Sequence, residues 1–499
     1  MNNATRGRSA LQEWESSKPD NFFSADRNLQ RVLRHYLSDE AYSDFEKTLV
    51  DLGEKAATIL DETAKLEDHI GNHPLLNRWT GIGERIEEIE FHPGHDLAGR
   101  IIWESGVMAL QAEAGNSVKQ AALIYLLTHN GEASHMCSLA CTSGMIRALQ
   151  QAGSDELKAK FLPPLLDRNY EKKHHAAQFL TEVQGGSDVG ANAVIAHDTG
   201  DGSWRISGEK WFCSNINADQ FLMTARPEGA ADGTKGLGMF LVPRQLDDGS
   251  TNGFYIRRLK DKLGTRTLAS AEVDFVDAVA YPIGALDRGF KNVVELVLNT
   301  SRLMNALSCA GFMRRAYLEA GSYACTREAF GAPIINYPLV QEALADMQSE
   351  AYAALASCFA LAHLLDKIET GKASDDDEAA YRMFVNINKY ITSIRATEMV
   401  HRAIEVLGGN GAIETFSILP RLYRDMVVLE SWEGTHNVLC VQVWRDMLRY
   451  QLHEPFLRYI QSQLATVKTD ELQAAANLIQ EAIQRVVKMV EKLAASDEQ

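Results

Sequence analysis

The sequence predicts an α+β protein in which an N-terminal all-α domain, a middle antiparallel β-barrel or sandwich and a C-terminal four-helix bundle follow one another. Three observations predict this order. Apolar residues recur at helical spacing from about residue 33 to 170. Short β-branched and aromatic runs alternate with Gly/Asp/Asn clusters from about 175 to 284, and helical spacing returns at about residue 290.

The composition narrows the class of protein. The chain has 499 residues, of which 45% are apolar, so it can fill several cores. Its 50 Lys and Arg against 67 Asp and Glu leave a net charge of −17. This balance argues against nucleic acid as the main partner, because neutralising phosphates requires surplus cations. The seven Cys are scattered without a Cys-x-x-Cys motif, which favours reduced thiols and a cytoplasmic location.

The chain is expected to divide into five segments. The start lacks the apolar core of a secretory signal, and no stretch approaches 18 uninterrupted apolar residues, so we expect neither a leader nor a membrane span. The expected segments are a polar extension draped over another surface (1–30), the all-α domain (31–175), the β domain (176–285), the helical bundle (286–450) and an amphipathic helical tail (451–499).

No metal site is expected from the spacing of possible ligands. Cys137 and Cys141 lie four residues apart in an apolar helical run, which favours buried core residues over metal ligands. His, Asp and Glu residues do not pair at metal-ligand spacing. For His436 we favour a structural role over a contact with a ligand.

The first chemical motif is QFLTEVQGGSD, which runs from Gln178 to Asp188. A predicted strand ends at the hydroxyl of Thr181, and a Gly-Gly turn then presents Ser187. Such a turn lets backbone N–H groups approach a phosphate closely. An ordinary turn between strands explains the same letters, so this motif alone leaves both interpretations open.

Further motifs add a family resemblance. Together with GEKWFCSN at 208–215, the first motif resembles the flavin-binding middle domain of the acyl-CoA dehydrogenases, and the α–β–α order is similar to that family's architecture. The matching blocks span roughly residues 100 to 450. Four more motifs follow in the family's order: NTSRLM with Arg302, REAFG at 327–331, EVLGGNG at 405–411 and WEGT at 432–435.

The resemblance implies an FAD-dependent dehydrogenase of fatty acid metabolism that introduces an α,β double bond into an acyl-CoA thioester. Glu433 matches the base that removes the α-proton as hydride leaves for flavin N5, and Arg302 would support it electrostatically. Such a base must be a carboxylate with a raised pKa, because the α-proton is weakly acidic. Some relatives place the base where this chain has Ser301, which cannot serve. The implied electron acceptor is an electron-transfer flavoprotein or a similar protein.

The resemblance also implies which residues hold FAD. Thr181 and Ser187 match positions at the pyrimidine edge and the pyrophosphate. Phe212 and Ser214 stand along the ring, where the family usually has Trp and Thr. The motifs at 327–331 and 405–411 would reach the FAD of a neighbouring subunit, so a homotetramer, built as a dimer of dimers, is expected. The other implied cofactor-binding residues are Gln178, Leu180, Gly186, Arg327, Phe330, Glu405, Gly408, Gly409, Thr435 and Asn437.

Three strings are closest to the bacterial alkylation-response branch of the family: FHP at 91–93, TEVQGGS at 181–187 and LPRLYRD at 419–425. This keeps a second function open, a flavoprotein with a stress or protective role and weak or no turnover. Some members of that branch bind DNA through a basic C-terminal region. Here residues 454–499 carry five basic and seven acidic side chains, so DNA binding is not carried over. The acyl chain, and reaction of reduced flavin with oxygen, stay open.

Overall fold

The computed structural model describes residues 3–494, which form two helical regions with a β region between them. One hydrophobic core joins both helical regions, and a second core fills the β region. Residues 1–2 of the predicted extension, and 495–499 of the predicted tail with Asp497 and Glu498, lie outside the described residues.

The first helical region begins its helices at capping side chains. The Asp26 carboxylate accepts hydrogen bonds from the N–H groups of Asn28 and Leu29, and the Ser38 hydroxyl accepts one from Ala41. The helices are α1 (Asn3–Ser16), α2 (Arg27–Tyr36), α3 (Asp39–Ala57), α4 (Ile59–Glu67), α5 (Pro93–Glu104), α6 (Ser117–Thr128), α7 (Ala133–Ala152) and α8 (Asp155–Leu165).

This region is not wholly helical, in contrast to the prediction of an all-α domain. Strands β1 (Leu75–Trp79) and β2 (Arg85–Glu90) form an antiparallel hairpin. Glu87 on β2 is buried, and its Oε2 accepts a hydrogen bond from the N–H of Ile256 at 3.0 Å. The hairpin therefore packs against the β region. Strands β1 and β2 are short, and the surface that covers them lies about 170 residues further along the chain. The local apolar periodicity therefore did not indicate these strands.

The β region forms a closed barrel, one of the two architectures that the sequence left open. Strands β4, β5, β9, β7 and β6 pair in a ring, and β3 and β8 add to β6 and β9. Most pairings are antiparallel, but β3–β6 and β4–β6 are parallel. The strands are β3 (Ala176–Phe179), β4 (Ile195–Asp198), β5 (Trp204–Ser214), β6 (Gln220–Pro227), β7 (Gly238–Pro243), β8 (Phe254–Leu259) and β9 (Ser270–Pro282).

The C-terminal bundle is built on long helices that pack on one another. A π-helical segment (Val293–Leu298) leads into α10, most of whose residues are buried. The elements are α9 (Gly289–Asn292), α10 (Asn299–Thr326), the hairpin of β10 (Glu328–Ala329) and β11 (Ala332–Pro333), α11 (Pro338–Glu369), α12 (Asp375–Leu407), α13 (Leu419–Ser431) and α14 (His436–Tyr450).

Among the described residues, α11 alone is long and apolar enough to cross a membrane by length and composition. Half of its most apolar window is buried, and it packs against α6, α10 and α12. It is therefore a core helix of the bundle.

The first helix, α1, packs against the C-terminal end of α10. Trp14 is buried, stacks on Phe416 with ring centroids 5.0 Å apart, and donates its indole N–H to the carbonyl of Glu319. It also meets Tyr323 edge-on at 5.4 Å. The polar N-terminal segment thus docks on the bundle through one aromatic side chain.

At the other end, α15 (His453–Leu464) packs on α12, and α16 (Asp470–Ala494) packs on α15. The inward face of α16 carries Ala476, Ile483 and Val490, spaced by seven residues. The predicted amphipathic tail is therefore a pair of helices laid over the bundle.

Candidate functional site

The candidate site lies on the four-residue loop between α13 and α14. Glu433 in this loop has φ +58, a backbone conformation that non-glycine residues rarely adopt and that surrounding contacts must hold. Gly434 follows with φ +104. The Glu433 side chain keeps some accessible surface, yet protein atoms surround it densely.

Arg302 on α10 contacts this loop. Its Nε donates to the Glu433 carbonyl at 3.0 Å, and its Nη1 donates to the Asn386 side-chain oxygen at 2.7 Å. Arg302 is only 3% exposed. Burial lowers the pKa of this guanidinium to about 10, so it stays charged at neutral pH. The structure therefore brings together Arg302 and Glu433.

A second buried cation, Lys389 on α12, also contacts the loop. Its Nζ donates to the carbonyls of Glu430 at 2.8 Å and Gly434 at 3.0 Å. Burial raises the pKa of Glu433 to about 6, while the charges of Arg302 and Lys389 act to lower it. The carboxyl is therefore ionised at neutral pH but more basic than an exposed glutamate.

The β region reaches this loop through α10 and α7. Gln178 on β3 donates to the Ser301 hydroxyl at 3.3 Å, next to Arg302. On α7, Cys141 lies in electrostatic contact with Glu433, and Cys137 and Cys141 pack with Leu268 against Trp432. Both thiols are buried.

The loop after β3 carries the first motif and is held by a buried ion pair. Lys210 and Glu182 are 0% and 3% exposed, and their Nζ and Oε1 lie 2.8 Å apart. Lys210 also donates to the carbonyl of Leu180, and Glu182 accepts from the N–H of Ala193 at 2.6 Å. The N–H of Trp211 donates to the Thr181 carbonyl at 2.9 Å. These contacts fix the backbone on both sides of the motif.

The motif offers an open surface beside this anchor. Gly186 and Ser187 are exposed. A Cβ at Gly186 would lie 2.5 Å from the Thr181 Oγ1, so only glycine leaves this surface clear. On the adjacent strand the ring of Phe212 is 52% exposed. Ser214 lies further along that strand, with its Oγ 2.8 Å from the Ser270 Oγ.

Residues Thr435 and Asn437 follow Glu433 at the start of α14. Thr435 is the N-cap residue, its side chain makes no capping hydrogen bond, and both side chains are exposed. Free N–H groups at a helix N-terminus favour an anionic group nearby.

The other predicted cofactor residues form a second group. Arg327 and Phe330 lie at the β10–β11 hairpin, and the Phe330 ring is 98% exposed. Asn410 donates to the Tyr323 hydroxyl at 3.2 Å, which brings the turn at 408–412 to the last turns of α10, directly before this hairpin. Glu405, Gly408 and Gly409 are exposed on that turn and at the end of α12.

The two groups lie far apart in one chain. Arg302 and Arg327 stand near the beginning and at the end of one helix, α10. A rise of about 1.5 Å per residue separates them by about 37 Å. The second group therefore lies at the opposite end of α10 from Glu433.

The prediction of site residues from sequence motifs did not include Lys389, Lys210 and Glu182. Glu182 and Lys210 stand inside the quoted motifs, and two charged residues within β-strand patterning are a signal for a buried pair. Lys389 lies in a helical segment without a motif. Its contact with the loop depends on the packing of α12 against α13.

One buried cluster unites residues from distant segments. Oxygen or nitrogen atoms of Glu67, His95 and Glu132 lie within 4.8 Å of one another, which spacing along the chain did not reveal. Glu132 caps α7 by accepting from the N–H groups of Ser134 and His135, each at 2.8 Å. Glu67 lies 3.4 Å from the His95 Nδ1. The Glu67 Oε1 is buried without a hydrogen-bond partner within the described residues, but the other groups contact protein, and we assign the cluster no ligand.

Comparisons with known proteins agree with this geometry. Three family models match consecutive parts of the chain: the adaptive response protein AidB N-terminal domain (14–172), the acyl-CoA dehydrogenase middle domain (177–278) and the acyl-CoA dehydrogenase C-terminal domain (287–448).

Individual relatives cover most of the chain. AidB of Escherichia coli K12 is 35% identical over 75% of this chain and 69% of its own length. Acyl-CoA dehydrogenase family member 11 of Caenorhabditis elegans is 30% identical over 95% and 78%. The crystal structure of C. elegans ACDH-11 in complex with C11-CoA superposes with a TM-score of 0.89 over 96% of this chain and 84% of that one, at 29% identity. The chain therefore belongs to the acyl-CoA dehydrogenase family, a family of flavoprotein oxidoreductases.

Proposed function

We propose that the protein is an FAD-dependent acyl-CoA dehydrogenase that introduces an α,β double bond into an acyl-CoA thioester. The observation that carries this proposal is Glu433. It is a carboxylate enclosed by protein, with a pKa raised to about 6, held in a strained loop between two buried cations. A desolvated carboxylate of this kind suits the removal of a weakly acidic α-proton.

The residues present fit FAD at the loop after β3. The surface at Gly186 is one that a Cβ would fill, the Ser187 hydroxyl is exposed, and the Phe212 ring offers an open face. We propose that Thr181 and Ser187 bind FAD there, with Gln178, Leu180, Phe212 and Ser214 beside it and Thr435 and Asn437 across from it. When bound, FAD supplies the acceptor for the hydride from the β-carbon.

The chain's own residues carry the proton step. Glu433 accepts the α-proton, and the breaking C–H bond leaves its electron pair to the forming double bond. Arg302 and Lys389 keep the Glu433 pKa from rising further, so the base is ionised at neutral pH. The buried wall of Cys137, Cys141, Leu268 and Trp432 encloses one side of the base.

Anaerobic titration of the purified flavoprotein with a panel of acyl-CoA esters tests this proposal. Bleaching of the flavin by at least one straight or branched ester is the expected result. A flavin that stays oxidised with every ester, while remaining bound, would favour the second candidate.

That candidate is a flavoprotein of the alkylation-response type with a protective role and little turnover. The match of residues 14–172 to the AidB N-terminal domain favours it. Under this alternative the same residues hold FAD. The net charge of −17 continues to argue against DNA as a partner.

The exposed second group supports a homotetramer built as a dimer of dimers. Phe330 and the turn at 408–412 lie at the far end of α10 from Glu433, where they are open to a neighbouring subunit and its FAD. Light scattering is expected to give the mass of four chains.

We propose an electron-transfer flavoprotein or a similar protein as the electron acceptor. We also propose a cytoplasmic location, since the chain has seven free thiols.

The rate of flavin reduction is expected to depend on pH through Glu433. The base acts only when ionised, and its pKa is about 6. The rate should therefore fall about tenfold per pH unit below pH 6 and level off above it. Stopped-flow measurements from pH 5 to 8 check this, and a flat profile would contradict it.

Substitution Gly186→Ala is expected to weaken FAD binding. The new Cβ would lie 2.5 Å from the Thr181 Oγ1, so this hydroxyl must turn away from the position in which we propose that it binds FAD. Returning it there would restore an overpacked contact that costs about 1–3 kcal/mol. Equilibrium dialysis should show FAD affinity falling about tenfold or more. Gly81→Ala is the control, because an added Cβ there meets no atom within 4 Å; equal affinities for the two variants would contradict the prediction.

A further inference from the structure

Lys389 is a fully buried lysine at the centre of the bundle. Its side chain is 0% exposed. Within residues 3–494, no carboxylate oxygen lies within 4.0 Å of the Lys389 Nζ, the limit for an ion pair. A buried cation without an ion-pair partner is costly, so other groups must stabilise it. Its hydrogen bonds to the carbonyls of Glu430 and Gly434 are the ones that do.

These hydrogen bonds bracket the base. Glu430 belongs to the last turn of α13, and Gly434 follows Glu433 directly. One of the three carbonyls between them, that of Glu433, accepts from the Arg302 Nε. Two cations from two different helices therefore hold three carbonyls of a segment only five residues long.

The loop needs this support. Glu433 and Gly434 have φ values of +58 and +104, and a non-glycine residue at positive φ persists only where its surroundings impose it. Without the Lys389 hydrogen bonds, the carbonyl of Gly434 would be free to turn. The loop could then relax from the positive φ values that set the direction of the Glu433 side chain.

We propose that Lys389 is a positioning residue: its ammonium holds the Glu430 and Gly434 carbonyls and thereby aims the Glu433 carboxylate at the α-carbon of the substrate. This inference rests on the proposed function for the reaction, but its structural part stands on the contacts alone. Arg302 is the complementary support, since it holds a carbonyl that Lys389 does not reach.

Four elements place titratable or charged groups around Lys389. They are Cys309 and Arg302 on α10, Glu430 on α13, Glu433 on the loop and His436 on α14. Burial lowers the pKa of Lys389 to about 8, against the opposing effect of Cys309 and Glu433. The ammonium is therefore charged at neutral pH and loses its proton above about pH 8, so the support weakens in alkali.

Substitution Lys389→Met in the full-length holoprotein tests the structural part by hydrogen–deuterium exchange. We expect amides of residues 430–437 to exchange at least about tenfold faster than in the wild type, because the segment loses two of its anchors. Lys367→Met is the matched control. That lysine pairs with Asp377 near the start of α12, twelve residues from Lys389. It should leave this segment unchanged.

Kinetics test the positioning role. With the best ester, Lys389→Met should reduce flavin about 10- to 100-fold more slowly at saturation, with little change in the half-saturating concentration, because misplacing a catalytic group by about 1 Å costs this much. The acid limb of its pH profile should also move to higher pH, since one cation beside Glu433 is gone. A merely structural residue would change stability and leave both readings alone.

If Lys389→Met does not fold, Lys389→Gln carries the same expectations, because its side chain is too short to reach both carbonyls. Wild-type exchange at 430–437 together with a wild-type rate in the folded variant overturns the proposal. If no ester reduces the wild-type flavin, the proposed function fails instead, and the exchange comparison still decides the role of Lys389.

Discussion

Replacing Glu433 by Gln is expected to slow flavin reduction by an acyl-CoA ester about 10²- to 10⁴-fold. Gln keeps the size of the side chain but cannot accept the α-proton. The backbone contacts of the loop with Arg302 and Lys389 do not involve the carboxyl group, so the loop should keep its conformation. The measurement is stopped-flow absorbance of the holoprotein mixed anaerobically with ester.

The control is Glu398→Gln, which removes a carboxylate paired with Arg395 on the exposed face of α12. It should reduce flavin at the wild-type rate. The prediction also requires that Glu433→Gln retain its FAD and its melting temperature. A Glu433→Gln protein that reduces flavin within about threefold of the wild-type rate would show that another group is the base.

Replacing Lys210 by Met is expected to lower the free energy of unfolding by about 3–5 kcal/mol, because removing one partner of a buried ion pair leaves an uncompensated charge. Lys210 and Glu182 are almost fully buried and 2.8 Å apart. Lys210 also holds the carbonyl of Leu180, directly before Thr181. FAD retention should therefore fall together with stability, as measured by urea unfolding and by flavin absorbance after gel filtration.

The double variant Glu182→Gln/Lys210→Met removes both charges and separates the two effects. It should recover part of the lost stability, because no charge is left buried without a partner. Its FAD retention should stay low, since the loop after β3 still lacks its anchor. Equal stabilities of the single and double variants would contradict the cost assigned to the unpaired charge, and wild-type FAD retention in the double variant would show that the ion pair does not hold the loop.

Much of the fold could be predicted from the sequence because it depends on local periodicity. Helical spacing and β-branched runs are set by which face of each element is buried, so the three regions follow from the chain itself. The β1–β2 hairpin was not predicted, because it packs against the distant strand β8, where Glu87 accepts a hydrogen bond from Ile256. The parallel β3–β6 pairing escaped for the same reason, since strand order depends on contacts that periodicity does not record.

The site divides in the same way. Glu433 and Arg302 could be predicted from motifs, and the structure joins them by a hydrogen bond. The role of Lys389 could not be predicted, because nothing in the sequence distinguishes a buried lysine in a helix from an exposed one. The hairpin of Phe330 was predicted to reach a neighbouring subunit, and its place at the far end of α10 is consistent with that role, which stays a prediction.

The central claim is that Glu433 removes the α-proton of an acyl-CoA ester as the double bond forms. An anaerobic single turnover with an ester deuterated at the α-carbon tests it most directly, with the flavin absorbance and the thioester product followed together. The account predicts one equivalent of α,β-enoyl-CoA per flavin bleached, slower bleaching with the deuterated ester, and loss of both signals in Glu433→Gln. Bleaching without enoyl-CoA, or an equal yield of enoyl-CoA from Glu433→Gln at the wild-type rate, would contradict it.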